Sequence, residues 1–143
     1  MTDLAGSIGD SAKFTKTVSE SDVYLYAGIT GDMAPNHLDA AYMQKSKWGQ
    51  RQAHGALLVG FMSTAVSLSV GNHREGDETP VSLGFDRVRF LKPVFFGDTI
   101  TTSFEVTEVD SEKRRVMGKL ECHNQDGDLV AVATHIEKWV PNT

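Results

Sequence analysis

Hydrophobic and polar positions alternate along most of the second half of the chain, which is typical of strands that bury one face. This pattern predicts four strands, over Val81–Phe90, Ile100–Val109, Arg115–His123 and Leu129–Val140. We expect an irregularity near Asp86 and Arg87, a turn over residues 96–98, and a hairpin turn over residues 124–127. Together these elements predict a meander of long antiparallel strands.

A different pattern occupies the middle of the chain. From about His54 to Val70 apolar residues occur on every side of a potential helix, and residues 55–72 carry no charge. A helix of this kind is usually buried on all sides. A membrane-spanning helix needs about 20 mostly apolar residues, and this segment contains several hydroxyl side chains. We therefore predict a core helix that ends at Gly71 and Asn72, and no membrane insertion.

Shorter elements precede this helix. The sequence predicts, in order, a strand over Lys13–Val18, a helix capped by residues 19–22 and ending near Gly28 or Gly31, a loop over TGDMAPNH (residues 30–37), one or two helical turns over Leu38–Gln44, and a surface loop over Lys45–Gln52. A curved sheet around the long helix would bury the apolar surfaces of both. We therefore expect an α+β fold in which a long central helix is wrapped by an antiparallel sheet, as one domain over residues 1–143.

Charge and cysteine content narrow the function classes. The 14 basic and 19 acidic side chains give a net charge of -5, which argues against binding nucleic acid. Cys122 is the only cysteine, so the chain forms no internal disulfide, and the first residues lack the pattern of a secretory signal. We expect a cytoplasmic protein. The remaining histidines have no ligand spacing, so we predict no metal site.

The stretch TGDMAPNH carries the most suggestive chemistry. Asp32 and His37 flank Pro35, which restricts the loop and favours an extended Ala34. A histidine exchanges protons near neutral pH, so the two side chains could act on one water as an acid-base pair, with Asp32 partly buried beside Met33. From local sequence alone, a turn carboxylate and an ordinary loop histidine remain open.

Three blocks of sequence, TGDMAPNHLDAAY, AHGALLVGFMS and LGFDRVRFLKPVFFGDTI, closely resemble the MaoC-like hydratases, in particular the R-specific enoyl-CoA hydratases. The family pattern is approximately (S/T)GDxNPxHxD, then HGxxxxxxxS, then a strand ending in a PVxxGD turn. The resemblance covers residues 8 to 140. It implies the hot-dog fold, a homodimer or dimer of dimers, and the addition of water to a trans-2-enoyl thioester.

The resemblance also implies roles for individual residues. Asp32 and His37 would be the catalytic pair, the backbone amide of Gly55 would hold the thioester oxygen, and Ser63 would support the acid. An amide at a helix start suits this role, because it is unpaired and the helix dipole favours negative charge. Further substrate contacts are expected at Pro35, His54, Phe61 and Gly84. His54 is better explained as support for the loop than as a catalytic group, and Ser63 could simply bond to its own helical turn.

Two departures from the family pattern stand out. Ala34 occupies the position of the usual asparagine, and Gln52 occupies a position that is often proline. The resemblance implies a reversible hydratase or dehydratase that acts on a coenzyme A or acyl-carrier thioester without a cofactor. A hot-dog thioesterase, and a binding subunit that has lost turnover, remain alternatives because a fold does not fix an activity.

Overall fold

The structure is built on one five-stranded antiparallel sheet. A computed structural model describes residues 8–70 and 76–143 of the chain. The strands are, in chain order, β1 (Ser11–Thr17), β2 (Glu78–Phe90), β3 (Thr99–Asp110), β4 (Arg115–His123) and β5 (Leu129–Pro141). Their order across the sheet is β1-β3-β4-β5-β2, and each neighbouring pair is antiparallel.

The predicted meander is correct only for β3, β4 and β5. β2 does not pair with β3, because β3 pairs with β1 on that side, and β2 instead lies against β5 at the opposite edge. The chain between β2 and β3, residues 91–98, must therefore cross from one side of the sheet to the other. This crossover lies beside the residues that precede the long helix, where Gln52 forms an isolated bridge with Phe95.

Four helices lie between β1 and β2. They are α1 (Glu20–Thr30), α2 (Pro35–Leu38), α3 (Ala40–Gln44) and α4 (Gly55–Val70). The long helix α4 packs against β1, β3 and β4. Its buried side chains form one core with the apolar faces of these strands, and the α4 members of this core are Leu58, Phe61, Met62, Ala65 and Val66. The described residues include no helix long and apolar enough to span a membrane.

The expectation that α4 is buried on every side is wrong for the single chain. The sheet covers one side of the helix, and the opposite side exposes small and hydroxyl-bearing residues together with one leucine, namely Ala56, Gly60, Ser63, Ser67 and Leu68. The prediction failed because the lack of charge is the same in a helix enclosed on all sides and in a helix that exposes a stripe of small residues. The predicted stop at residues 71–72 lies outside the described residues.

Most predicted boundaries are close to those observed, and the largest difference is at β2. This strand begins at Glu78 rather than Val81, so it includes Pro80, which faces Trp139 of β5. Proline is tolerated there because β2 is an edge strand with one unpaired side. The predicted irregularity is confirmed, since the pairing with β5 shifts between Asp86 and Arg89, and Arg87 has a φ of 54°.

Candidate active site

The crossover brings the end of β2 next to the start of α4. The backbone N–H of Ala53 donates to the carbonyl of Val94 at 2.7 Å. Asp98 closes the following turn, because its carboxylate accepts from the N–H of Phe95 at 2.9 Å. These contacts fix the start of α4 against residues 90–94, which form one wall of the site described below.

The TGDMAPNH segment connects α1 to α2. Helix α1 ends at Gly31, whose left-handed φ of 81° lets its N–H bond to the carbonyl of Ala27 at 2.8 Å. The Asp32 carboxylate then accepts from the N–H of Ala34 at 3.3 Å. Pro35 is the first residue of α2, which is where its fixed φ suits a helix. The segment is therefore a loop only as far as Ala34, and the expected loop conformation at His37 is wrong.

The ring of His37 is held in one orientation. His37 is buried on α2, and its Nδ1 lies 2.7 Å from the backbone carbonyl of Gln52. A carbonyl oxygen only accepts hydrogen bonds, so Nδ1 must carry the hydrogen. In the neutral ring this leaves the lone pair on Nε2, which is the nitrogen able to take a proton from a substrate or water.

His54 connects this ring to the Asp32 segment. Its side chain is 2 % exposed, and its Nε2–H donates to the backbone carbonyl of Asp32 at 2.9 Å. The ring stacks on the His37 ring with centroids 3.7 Å apart, and its centroid lies 4.4 Å from the centroid of the Tyr26 ring. His54 therefore connects α2 to the loop, and its supporting role and its substrate contact stay predictions.

The Asp32 carboxylate completes the group. One oxygen lies 4.0 Å from His54 Nε2, and one ligand atom each from Asp32, His37 and His54 all lie within 4.8 Å of one another. One water can span that distance by bonding to Asp32 and His37 together. The expected partial burial is not found in the single chain, since the Asp32 side chain is 53 % exposed and Met33 is 60 % exposed.

A pocket of about 290 Å³ opens beside His37, whereas Asp32 and His54 are not among the residues that line it. His37 lines it together with Gly55, the first residue of α4. The Gly55 amide has no acceptor among the described residues, as expected for the first turn of a helix. A Cβ on Gly55 would lie 2.7 Å from the ring of Phe90, which forms the facing wall. The site thus places an imidazole and a free helix amide in one concave space.

Four of the residues assigned from the sequence lie elsewhere. Pro35 starts α2 without lining the pocket. Phe61 packs in the core against Phe14, with ring centroids 5.8 Å apart. Gly84 lies at a register shift in β2. Ser63 is exposed on α4, and no hydrogen bond joins it to Asp32 within the described chain. The roles given to these residues stay predictions.

The geometry of the two imidazoles does not suit a shared metal ion. Each ring already uses one nitrogen in a bond to a backbone carbonyl. The rings are stacked with planes 25° apart, so their remaining lone pairs lie in nearly parallel planes instead of converging on one point. That the protein holds no metal ion stays a prediction, and the stacking of the two rings favours it.

Sequence reasoning missed part of the pocket wall. Asn36, Trp48 and Gln52 line it, as do residues 90–94. Trp48 is the only aromatic side chain in the basic loop over residues 45–52, and Gln52 differs from the family pattern, so both gave a signal that was not used. Residues 90–94 lie inside the third block of the family resemblance, but nothing in their local sequence placed them in the pocket wall, because the crossover brings them to the site from the far edge of the sheet.

Comparisons with known proteins identify the family of the chain. The profile of the MaoC like domain family matches residues 3–125. An (R)-specific enoyl-CoA hydratase of Rhodospirillum rubrum is 36% identical over 115 residues, covering 80% of this chain and 75% of that protein. A 3-hydroxybutyryl-CoA dehydratase of Methylorubrum extorquens is 32% identical over 126 residues, covering 87% of this chain and 74% of that protein.

A solved structure gives the same result for the fold. The (R)-hydratase from A. caviae involved in PHA biosynthesis superposes with a TM-score of 0.82 at 26% identity, covering 94% of this chain and 97% of that one. The predicted hot-dog fold is confirmed, with the sheet curved around α4. The chain belongs to the MaoC-like domain family.

Proposed function

We propose that this enzyme is a hydratase/dehydratase that reversibly adds water to a trans-2-enoyl thioester, converting an enoyl-CoA into a 3-hydroxyacyl-CoA. One observation carries the proposal: the pocket that contains the free Gly55 amide is also lined by His37, whose Nδ1 bond leaves Nε2 free and whose ring lies beside the Asp32 carboxylate. The relatives named above as hydratase and dehydratase support the same reaction class.

In the proposed reaction, a water lies between Asp32 and His37. Nε2 of His37 takes a proton from this water as the water oxygen bonds to the β-carbon of the substrate. The same proton then moves to the α-carbon, so one water supplies both new bonds and the ring returns to its neutral form. The Asp32 carboxylate stabilises the positive charge on the imidazole, and the Gly55 amide stabilises the negative charge on the thioester oxygen. The reaction is redox-neutral, so we propose no cofactor.

A thioesterase would use the same pocket differently. It would direct water to the carbonyl carbon and release free thiol, and the fold does not exclude this. The position of His37 and Asp32 as a pair favours addition to the alkene, because that reaction needs a group that can both accept and return one proton. We propose coenzyme A or an acyl carrier protein as the carrier of the substrate.

We also propose that the protein is a homodimer. Helix α1, which leads into the Asp32 loop, exposes the apolar side chains of Leu25 and Ile29, and Ile29 is 83 % exposed. Met33, next to Asp32 in the chain, is also exposed. Exposed apolar surface of this kind marks interaction sites. A partner chain over this surface would bury Met33 and shield Asp32 from solvent, and light scattering of the purified protein measures the mass that tests it.

The test follows the conjugated absorbance of crotonyl-CoA while free thiol is titrated in parallel. We expect the wild type to lose absorbance without releasing thiol. Asp32→Asn and His37→Ala should each lower kcat by about 10²-fold or more, because each removes a group that acts on the proton in transfer. Thiol release at the rate of absorbance loss would instead indicate a thioesterase.

Matched controls separate chemistry from folding. Asp126→Asn changes an exposed carboxylate in a hairpin turn, and His123→Ala changes a histidine of β4, both away from the pocket. These two control variants should keep wild-type activity, and thermal unfolding checks that all four variants stay folded at the assay temperature. An inert wild type that still binds acyl-CoA would indicate a binding subunit.

A further inference from the structure

Phe90, the last residue of β2, carries a large apolar side chain that the core does not bury. The residue is 52 % exposed, and the described core around α4 does not include it. Phe90 lines the same pocket as His37 and Gly55. Ligand pockets bind largely through apolar and aromatic groups, so a half-exposed ring in this wall is available for contact with a substrate.

A bulge in β2 determines that Phe90 faces the inside of the sheet. Phe85 lies opposite His135 and Phe90 lies opposite Ala131, so five steps along β2 correspond to four along β5. Residues directly opposite in an antiparallel pair project from the same face, and both His135 and Ala131 are buried. Without the extra residue at the register shift around Arg87, strict alternation would turn Phe90 to the outer face.

The ring of Phe90 lies directly against Gly55. Three ring carbons are 2.7 to 2.9 Å from the position that a Cβ on Gly55 would occupy. That position and the amide nitrogen are both one bond from Cα, so the ring lies within about 5 Å of the nitrogen. The lack of a side chain on Gly55 therefore lets an aromatic wall form beside the first amide of α4.

An aromatic wall at this point suits the acyl group of the proposed substrate. When the thioester oxygen accepts from the Gly55 amide at about 2.9 Å, the carbons bonded to the carbonyl lie beside the ring. The carbonyl and the conjugated double bond of a trans-2-enoyl thioester form one plane, and a flat group packs well on an aromatic face. The ring also keeps water from one side of the amide, which strengthens a hydrogen bond to the developing negative charge.

We propose that Phe90 is a specificity-determining residue, whose ring is the wall on which the planar enoyl group lies while the Gly55 amide binds the thioester oxygen; this rests on the proposed hydratase function. The wall favours a conjugated acyl group over a saturated one of the same length. The amide, in contrast, recognises the oxygen that both kinds of thioester carry.

The binding test compares crotonyl-CoA with butyryl-CoA, which have acyl chains of the same length and differ in the conjugated double bond. Both are titrated calorimetrically into Asp32→Asn/His37→Ala, which lacks both proposed acid-base groups, and into the same protein with Phe90→Ala added. The absorbance of crotonyl-CoA checks that the ligand stays intact. Loss of the ring should weaken crotonyl-CoA binding about tenfold and butyryl-CoA binding about threefold or less, and free CoA should bind both proteins equally.

Kinetics with the acid-base pair intact give a second reading. Phe90→Ala should lower kcat/KM for crotonyl-CoA by about tenfold or more, whereas Phe90→Tyr keeps the ring and should restore nearly the wild-type value. Leu83→Ala is the matched control, because Leu83 lies on the same strand, is 50 % exposed and does not line the pocket. It should behave as wild type, and thermal unfolding checks that each variant is folded.

A double variant tests whether the ring acts at Gly55. Gly55→Ala displaces the ring, so it should cause little further loss of kcat/KM in a protein that already carries Phe90→Ala. If the two losses multiply instead, the ring and Gly55 act independently and the wall does not work beside the amide.

The outcomes separate this inference from the proposed function. If the wild type does not hydrate crotonyl-CoA, the proposed function fails, while the three titrations still test Phe90. If the wild type is active and loss of the ring weakens crotonyl-CoA and butyryl-CoA equally, or neither, the inference alone is overturned. Weaker binding of free CoA would place the ring against the carrier instead of the acyl group, and would also overturn the inference.

Discussion

At the scale of single residues, the site depends on two backbone carbonyls that fix the rings of two histidines. The carbonyl of Gln52 orients His37, and the carbonyl of Asp32 orients His54. Each bond leaves one nitrogen with a lone pair, so the tautomer of each neutral ring is set by the backbone around it. In His37 the free nitrogen is available for chemistry, whereas in His54 it is buried and has no partner among the described residues.

Gly55 provides a test at this scale. A Cβ at this residue would lie 2.7 Å from the ring of Phe90, so the ring must shift within the pocket wall. We expect Gly55→Ala to lower kcat/KM for crotonyl-CoA by about tenfold or more, since a misplacement of about 1 Å at a reacting centre can cost 10²-fold. Steady-state kinetics and thermal unfolding together measure this effect.

Gly60→Ala is the matched control on the same helix. Gly60 is exposed, and a Cβ there meets no atom within 4 Å. Replacing a helical glycine with alanine should raise the free energy of unfolding by about 0.5–1 kcal/mol and leave kcat/KM unchanged. Equal activity of the two variants would show that the close approach of Phe90 to Gly55 has no role in substrate binding.

At the scale of elements, the end of α1 determines where Asp32 lies. A capping box between Ser19 and Asp22 starts the helix, and Gly31 ends it with a left-handed residue. The hydroxyl of Thr30 accepts from the N–H of Asp32 at 3.2 Å, directly after this stop. The TGDMAPNH segment therefore begins at a defined residue instead of at a frayed helix end.

Gly31 gives the corresponding prediction. Its φ of 81° is unfavourable for residues with a Cβ, so Gly31→Ala should lower the free energy of unfolding by about 1 kcal/mol. Asparagine tolerates this conformation better, so Gly31→Asn should lose less than half as much. Urea denaturation measures both, and equal losses would show that the backbone conformation is not the cause.

At the scale of the whole molecule, the curved sheet encloses a second group of polar side chains that the site does not use. His135 and Glu137 lie on the same buried face of β5, and His135 Nε2 is 2.8 Å from the hydroxyl of Ser82 on β2. Burial lowers the pKa of His135 from 6.5 to about 4 and raises the pKa of Glu137 from 4.5 to about 7.

These opposite shifts predict a characteristic dependence of stability on pH. In the unfolded chain His135 is protonated below pH 6.5, whereas in the folded protein it stays neutral down to about pH 4. Its contribution to the free energy of unfolding therefore falls as pH falls through this range. Folded Glu137 keeps a proton between pH 4.5 and about 7 that the unfolded residue releases, so its contribution falls as pH rises. Between pH 4.5 and 6.5 the two effects oppose each other.

Single variants should reveal each effect. Relative to wild type, Glu137→Gln should gain stability as pH rises from 4.5 to 7, and His135→Gln should gain stability as pH falls from 6.5 to 4, each by up to about 3 kcal/mol. Chemical denaturation at a series of pH values measures the free energy of unfolding of each variant and of the wild type. Subtracting the two profiles removes the contributions of the titrating groups that both proteins share. Difference profiles that stay flat would contradict these pKa shifts.

The secondary structure could largely be predicted because its signals are local. Alternation over residues 100–109 and 115–123 identified two strands within one residue of their ends, and the uncharged run identified α4. The conformation of His37 was missed because Pro35 favours both a turn and a first helical position. The candidate pair Asp32 and His37 was identified from its motif, and the structure places these residues within reach of one water.

The sequence by itself indicated most of the elements, the family and the candidate pair Asp32 and His37, since each signal depends on side chains that are close along the chain. Only the tertiary structure decided that β2 lies at the far edge of the sheet and that the crossover brings Phe90 to Gly55. It also decided that the ring of His54 stacks on His37 and that Gln52 lines the pocket. These features depend on pairing between residues distant in the chain, which local patterns do not specify.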